Sequence, residues 1–226
     1  MEYNDKLIAA REAVRYIKEG MVIGIGSGST VNEFLYCLAD RIKEEGLQIV
    51  GIPASKKSER LARKLKIPLT TFASYQNVDI SIDGTDEIDE QLHLVKGGGG
   101  SLVREKMIDL VADTFIVIAS GEKKVRKLGT FPVPVEVVPF GWQATEQRLQ
   151  QLGCHTKLRL LNGEIFVSDN QNYIIDCEFK KIDDAVTLHA SLKQIVGVIE
   201  TGIFTHLVDK AIIADNGQIY VMENIR

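Results

Sequence analysis

Short apolar runs that alternate with segments of helical period constrain this chain more than any other feature. Met21-Val22-Ile23-Gly24-Ile25, Leu47 to Ile52, Val78-Asp79-Ile80-Ser81-Ile82 and Thr114 to Ala119 read as strands. The first helix is expected over 5–18, capped by Asn4 or Asp5, with Leu7, Ile8, Val14 and Ile17 apolar and Gly20 as the stop. The next carries Phe34, Leu35, Leu38 and Ile42 on one face and stops at Gly46. Ser55 to Leu65 and Ser101 to Ala112 complete the set. Strands that are apolar throughout are buried on both faces, and helices between them supply the cover, so the pattern implies a parallel sheet. The first ~125 residues therefore read as one doubly wound α/β unit of ordinary size.

The pattern changes near Phe131. Phe131-Pro132-Val133-Pro134-Val135 has prolines at alternate positions, which predicts a linker or an edge strand. Gln143 to Leu152 reads as a helix, and strands are expected at Thr156 to Leu160, Glu164 to Val167 and Tyr173 to Cys177. Asp183 to Gln194 is a helix with its own acidic cap. This is an α+β pattern, a small antiparallel sheet with two helices. Lys210 to Met222 holds two short strands around Asp215-Asn216-Gly217 that can return to the first sheet.

With 226 residues, 45% of them hydrophobic, the chain can bury a core without covalent staples. A net charge of -4 offers no basic field for nucleic acid. Three cysteines, Cys37, Cys154 and Cys177, are far apart and form no C-x-x-C, so neither a disulfide framework nor a thiolate metal site is expected. The start, Met1-Glu2-Tyr3-Asn4-Asp5-Lys6, has no basic segment followed by an apolar one, and no apolar run reaches about 18 residues. A soluble cytoplasmic protein with no secretory signal is expected. His93, His155, His189 and His206 are scattered without metal-ligand spacing.

Three polar loops fall at strand ends, where open parallel sheets bind ligands. Gly24-Ile-Gly26-Ser27-Gly28-Ser29-Thr30 joins a strand to a helix. Its glycines allow close backbone approach, the helix start offers N–H groups, and three hydroxyls add donors, which suits a phosphate. Ser29 stands where the dinucleotide fingerprint needs a third glycine, and no Walker lysine follows. The plain alternative is a tight turn with a hydroxyl cap. Asp83-Gly84-Thr85-Asp86-Glu87-Ile88-Asp89-Glu90 follows a strand and reads either as a solvated acidic turn or as carboxylates that hold sugar hydroxyls and move protons; the spacing misses the calcium-loop pattern. Lys96-Gly97-Gly98-Gly99-Gly100 precedes the helix that holds Arg104-Glu105-Lys106. Four consecutive glycines cost chain entropy on folding, and their amides suit an anion or oxyanion. Glu105 is on its own an ordinary first-turn acid that complements the helix dipole, and becomes a candidate base only beside the other two loops.

Gly26-Ser-Gly28-Ser29-Thr30, Asp83-Gly84-Thr85-Asp86-Glu87, Lys96-Gly97-Gly98-Gly99 and Arg104-Glu105-Lys106, with Phe131-Pro-Val-Pro-Val-Glu136-Val, occur in an order and spacing that resembles the ribose-5-phosphate isomerase A family. The likeness runs the length of the chain. It implies a Rossmann-like doubly wound, mostly parallel sheet with a smaller ferredoxin-like α+β domain inserted near the C-terminal end. The implied bounds are 1–129 with 202–226 for the catalytic domain and 130–201 for the α+β domain, which would form the interface of a homodimer or homotetramer. The implied activity is aldose–ketose isomerisation of D-ribose 5-phosphate and D-ribulose 5-phosphate through an enediolate, in the non-oxidative pentose phosphate pathway, with no cofactor and no metal.

By that resemblance Glu105 is the general base, while Asp83, Asp86 and Lys96 serve ring opening and the enediolate. Ser27, Gly28, Ser29 and Thr30, with Lys6 and Lys123, contact substrate, as do Gly84, Thr85 and the amides of Gly97, Gly98 and Gly99. Ser27 stands where threonine is common in the family and Thr85 where alanine is common; neither removes a charged group. The competing readings are a non-catalytic sugar-phosphate sensor, an acyl-CoA transferase or amino-sugar phosphate deaminase on a related scaffold, and a metal-dependent hydrolase. The sensor would not need both Lys96 and Glu105.

Overall fold

The computed structural model describes residues 4–224. Met1 to Tyr3, part of the segment read above for a leader, lie outside them. In chain order the elements begin with α1 (Asp5–Ala13), β1 (Val22–Ile25), α2 (Ser29–Glu45), β2 (Val50–Pro53), α3 (Lys56–Lys64) and β3 (Val78–Asp83). Two short strands, β4 (Glu87–Ile88) and β5 (Leu94–Val95), precede α4 (Leu102–Val111) and β6 (Ala112–Ser120). Then come β7 (Val133–Val137), α5 (Trp142–Gln150), β8 (His155–Leu158), β9 (Leu160–Leu161), β10 (Glu164–Ile165) and β11 (Tyr173–Glu178). The chain closes with α6 (Ala185–Lys193), β12 (Val198–Thr201), β13 (Ile203–Phe204), β14 (Lys210–Asp215) and β15 (Gln218–Glu223). Among the described residues no helix is long and apolar enough to cross a membrane.

The chain divides into two compact units. One comprises the residues up to Thr85, Arg104–Lys124 and those from Leu207 onward; the other comprises Asp86–Val103 and Val125–His206. The second takes in 86–103, which the bounds of 130–201 leave out, because β4 pairs with β5 and β5 with β13.

The first unit is a six-stranded sheet in the order β15-β14-β6-β3-β1-β2. Every pairing from β14 to β2 is parallel; only β15 runs against its neighbour. β1 is buried along its whole length, as a strand covered on both faces must be. The C-terminal strands do return to this sheet, turned by Asn216 and Gly217, both at positive φ. The strand order reverses between β1 and β3, so the crevice at their carboxyl ends is the switch point of the sheet. α1 differs from its expected extent. It ends at Ala13, where a 3-10 turn over Val14–Tyr16 takes over. Arg41 from α2 donates through Nη1 to the carbonyls of Val14 and Ile17 at 2.6 and 2.7 Å, satisfying acceptors that a longer helix would have used itself. Its buried face is Ala9, Ala10 and Ala13, while Leu7 and Ile8 are only half-buried.

The second unit is built on β7-α5-β8-β11-α6-β12 with the strand order β12-β7-β11-β8, all antiparallel, which is the ferredoxin-like arrangement. Val133, Val135 and Val137 alternate inward from β7 and pack with Ile175, Cys177, Leu149 and Leu192. β7 is therefore a central, fully buried strand and corrects the expectation of a linker or edge at Phe131 to Val135. The strand tolerates Pro134 because the acceptor its missing N–H would have used, Gly202 O, takes the N–H of Lys96 instead.

Candidate active site

In the first unit, the loops after β1 and β3 meet at the switch point through one carboxylate. Asp83 ends β3 and is completely buried. Its Oδ1 accepts the N–H of Ser27 at 3.0 Å and of Gly84 at 2.6 Å. It is thus not the solvated turn acid of the plainer reading. The close fit explains Gly26: a Cβ there would lie 2.0 Å from Asp83 Cγ. Ser27 Oγ donates to Ser55 Oγ at 3.2 Å, and Ser55 caps α3.

Gly28 is the N-cap of α2, at φ 106, and supplies no side-chain cap, so Ser29 and Thr30 open the helix with their amides at its positive end. Ser29 is exposed and Thr30 half-buried. Lys6, in the first turn of α1, donates to Ser29 Oγ at 3.0 Å. Lys123 lies in the 3-10 turn after β6. Burial raises the carboxyl of neighbouring Glu122, but the Ser120 hydroxyl, at 2.6 Å, and the charges of Lys123 and Lys6 bring it below the usual carboxylate range. Lys6, which also holds Ser29, and Lys123 thus both lower this carboxyl.

Glu105 sits in the first turn of α4 yet is only 4% exposed, which sets it apart from a surface acid that merely complements the dipole. Ser81 Oγ donates to Asp109 Oδ1 at 2.6 Å, between two buried side chains, and this bond keys α4 to β3. α4 returns the chain to β6, which pairs parallel with β3, so helix and strand run in opposite senses. One turn back from Asp109, about 6 Å, is Glu105. Two residues on from Ser81, about 6.6 Å, is Asp83. Both carboxylates accordingly lie at the carboxyl end of β3. Asp109, Ser81 and Glu122 escaped the sequence reading; the i,i+4 spacing of Glu105 and Asp109 was the visible signal for one of them.

In the second unit, Asp86 is half-buried and its Oδ2 accepts the N–H of Gly98 at 2.7 Å. A Cβ on Gly98 would meet both Asp86 carboxylate oxygens at 2.8 Å. Gly97 and Gly100 take φ of 95 and 86, and Gly100 N–H closes a turn on Gly97 O at 2.9 Å, so the run of glycines is a shaped loop. Gly98 and Gly99 are exposed on it. Lys96 is 2% exposed, its N–H donates to Gly202 O at 2.8 Å, and Nζ lies 5.4 Å from the Phe204 ring centroid. Gly84 and Thr85, half-buried, lead out of the first unit into the second. His93 and His206 stack edge to face with centroids 5.3 Å apart, so two of the four histidines do meet. Among the described residues no group of three or more His, Cys, Asp or Glu is placed to hold a metal ion.

A doubly wound sheet with a hydroxyl turn and buried carboxylates at its switch point, joined in one chain to a βαββαβ unit, defines a two-unit α/β protein suited to a small polar ligand. The family model described as ribose 5-phosphate isomerase A (phosphoriboisomerase A) matches residues 50–218. Ribose-5-phosphate isomerase A 2 of Oceanobacillus iheyensis is 80% identical over 223 residues, covering 99% of this chain and 100% of the relative. Among solved structures, ribose 5-phosphate isomerase A of Methanocaldococcus jannaschii superposes with a TM-score of 0.92 at 42% identity, covering 97% of this chain and 98% of that one. A D-ribose-5-phosphate isomerase in complex with phospho-erythronic acid reaches a TM-score of 0.96 at 37% identity, over 99% and 100%. The chain belongs to the ribose 5-phosphate isomerase A family.

Proposed function

We propose that the chain interconverts D-ribose 5-phosphate and D-ribulose 5-phosphate by moving one proton between adjacent carbons, with Glu105 as the base, in the non-oxidative pentose phosphate pathway. The observation that carries the assignment of the base is the burial of Glu105 at the carboxyl end of β3, level with Asp83. A carboxylate in that position takes the proton from C2 of the open-chain aldose and returns it to C1. Electrons only shift within the substrate, so the step is balanced without a redox cofactor. Asp83, fixed by two N–H donors, assists opening of the furanose ring. Lys96 and the amides of Gly97 and Gly99 stabilise the enediolate oxygens, while Gly98 N–H, expected to join them, is taken by Asp86 and holds the glycine loop in shape.

Ser27, Gly28, Ser29 and Thr30, with Lys6 and Lys123, take the phosphate at the start of α2. Gly84 and Thr85 contact the sugar. The complex of a solved relative with phospho-erythronic acid supports the reading, because a planar carboxylate on a phosphorylated chain resembles the paired oxygens of an enediolate. The protein works in the cytoplasm as a homodimer or homotetramer, with the α+β domain over 130–201 forming the interface.

The test is proton exchange. Wild-type protein incubated with ribose 5-phosphate in heavy water incorporates deuterium beside the shifting carbonyl. Glu105→Gln unfolds like wild type and loses at least ~100-fold in turnover. Turnover close to wild type in that variant would reject Glu105 as the base.

A further inference from the structure

We propose that Arg159 is a positioning residue for this reaction, which turns the amides of the glycine loop toward the charge that develops on the substrate. The proposal rests on the isomerase reading and extends it to a residue that follows β8 in the second unit. Arg159 uses its whole guanidinium. Nε donates to Asp176 Oδ2 at 2.9 Å and Nη2 to Asp176 Oδ1, a two-pronged ion pair with β11. Nη1, left over from that fork, donates to the carbonyls of Gly97 and Gly98 at 2.9 and 3.1 Å. The ring of Phe166 lies 5.8 Å from Cζ, and the same ring occupies the place where Gly100 has no side chain, 2.4 Å from where a Cβ would sit. The main chain of Arg159 is fixed as well, its N–H on Ile174 O at 2.8 Å and its carbonyl taking Phe166 N–H at 2.9 Å.

The consequence follows from the planarity of the peptide bond. In a trans peptide the carbonyl and the next N–H point opposite ways. Holding the carbonyls of Gly97 and Gly98 therefore directs the N–H groups of Gly98 and Gly99 away from Arg159. Gly98 N–H meets Asp86 Oδ2 on that far side and anchors the loop, which makes Gly99 N–H the amide presented to the developing charge. A cation on the carbonyl side also polarises each amide, which strengthens its N–H as a donor. Lysine could not replace this arrangement, since only a planar fork can grip a carboxylate with two nitrogens and present a third to two carbonyls.

The experiment compares wild type, Arg159→Ala, Arg159→Lys and Asp176→Asn. It measures the thermal unfolding midpoint, kcat and KM for ribose 5-phosphate, and the inhibition constant of phospho-erythronic acid. Loss of a preorganised oxyanion donor costs about 10²–10³ in turnover, and misaligning one costs less. For Arg159→Ala, kcat is expected to fall roughly 10- to 100-fold on that scale, KM to move by less than about threefold, and the inhibition constant to rise in proportion to the loss in kcat. Arg159→Lys does not restore kcat, Asp176→Asn falls between, and added guanidinium recovers part of the loss in Arg159→Ala. A folded Arg159→Ala with wild-type kcat overturns the proposal, as does a raised KM with kcat and the inhibition constant unchanged. Should Arg159→Ala fail to fold, Asp176→Asn carries the same comparison. A wild-type protein that does not isomerise ribose 5-phosphate would instead defeat the functional reading, and this proposal with it.

Discussion

Replacing Gly26 by alanine tests whether Asp83 is held where the site needs it. The added Cβ would lie 2.0 Å from both Cγ and Oδ1 of Asp83 and 2.6 Å from its Cβ. Carbon atoms settle at about 3.5–4.0 Å, so the carboxylate has to move by about 1.5 Å. It cannot do so and keep the N–H groups of Ser27 and Gly84. Hydrogen bonds to a charged acceptor contribute about 1.5–3 kcal/mol each, so losing both would cost about 3–6 kcal/mol. Overpacking elsewhere in protein cores costs about 1–3 kcal/mol after relaxation, and a value of about 2–4 kcal/mol is expected here. The assay is a double-mutant cycle in urea with wild type, Gly26→Ala, Asp83→Ala and the double variant. In the Asp83→Ala background the two shortest overlaps vanish, so Gly26→Ala should cost about 1–3 kcal/mol less than in wild type. Costs that add within about 0.5 kcal/mol would show that the methyl group collides with something other than the carboxylate, and the account of Gly26 would fall.

Two further outcomes probe other parts of the molecule. Alanine at Ser29 and Thr30 together removes two hydroxyl donors of about 0.5–1.5 kcal/mol each, so the Michaelis constant for ribose 5-phosphate should rise roughly 5- to 150-fold with kcat little changed; an unmoved constant in steady-state kinetics would count against a phosphate site at the start of α2. On the surface, hydrogen bonds from Lys127 and Lys181 bring the Asp183 carboxyl from 3.8 to about 2. A carboxyl depressed in the folded state stabilises fully above its unfolded value and loses that contribution as pH falls through the folded one. The gap in unfolding midpoint between wild type and Asp183→Asn should therefore be present at pH 5 and be much reduced at pH 2, where the folded carboxyl is half protonated, whereas a gap of equal size at both would rule out the ion pairs as its cause.

The first unit was legible because its elements are local: apolar runs, caps and glycine stops sit beside the residues they govern. The αL glycine at Gly46 and the capping pair Ser55 and Ser58 lie within a turn of the helix ends they fix. The second unit was legible in its helices and hairpins but not in its sheet order, since nothing near Pro134 shows that β12, more than sixty residues on, will flank it. The three-stranded sheet of β4, β5 and β13 was missed for a similar reason: strands of two residues have no period to detect, and their partner comes from far along the chain. Of the candidate site, the loops were readable from composition. The clamps on those loops were not, because Asp83 to Ser27, Asp109 to Ser81 and Arg159 to Gly97 each join residues between 28 and 62 positions apart.

Pro134 shows how such a distant contact bears on the chemistry. In a strand, the N–H and carbonyl of one residue face the same side, and Pro134 O accepts Gly202 N–H at 2.7 Å. An ordinary residue at 134 would return the bond by donating to Gly202 O. Proline has no N–H to give. That carbonyl instead accepts the N–H of Lys96 at 2.8 Å. Gly202 is confined between the two: a Cβ there would lie 2.2 Å from Lys96 O and 2.7 Å from Pro134 Cδ. A proline that looks like the end of a sheet in sequence thus leaves one acceptor open inside it, and the backbone of the lysine assigned to the enediolate takes that place. The likeness of Phe131 to Val137 to the family therefore has a physical content that the side chains alone do not carry: Pro134, near the start of β7, fixes the main chain of Lys96 through Gly202.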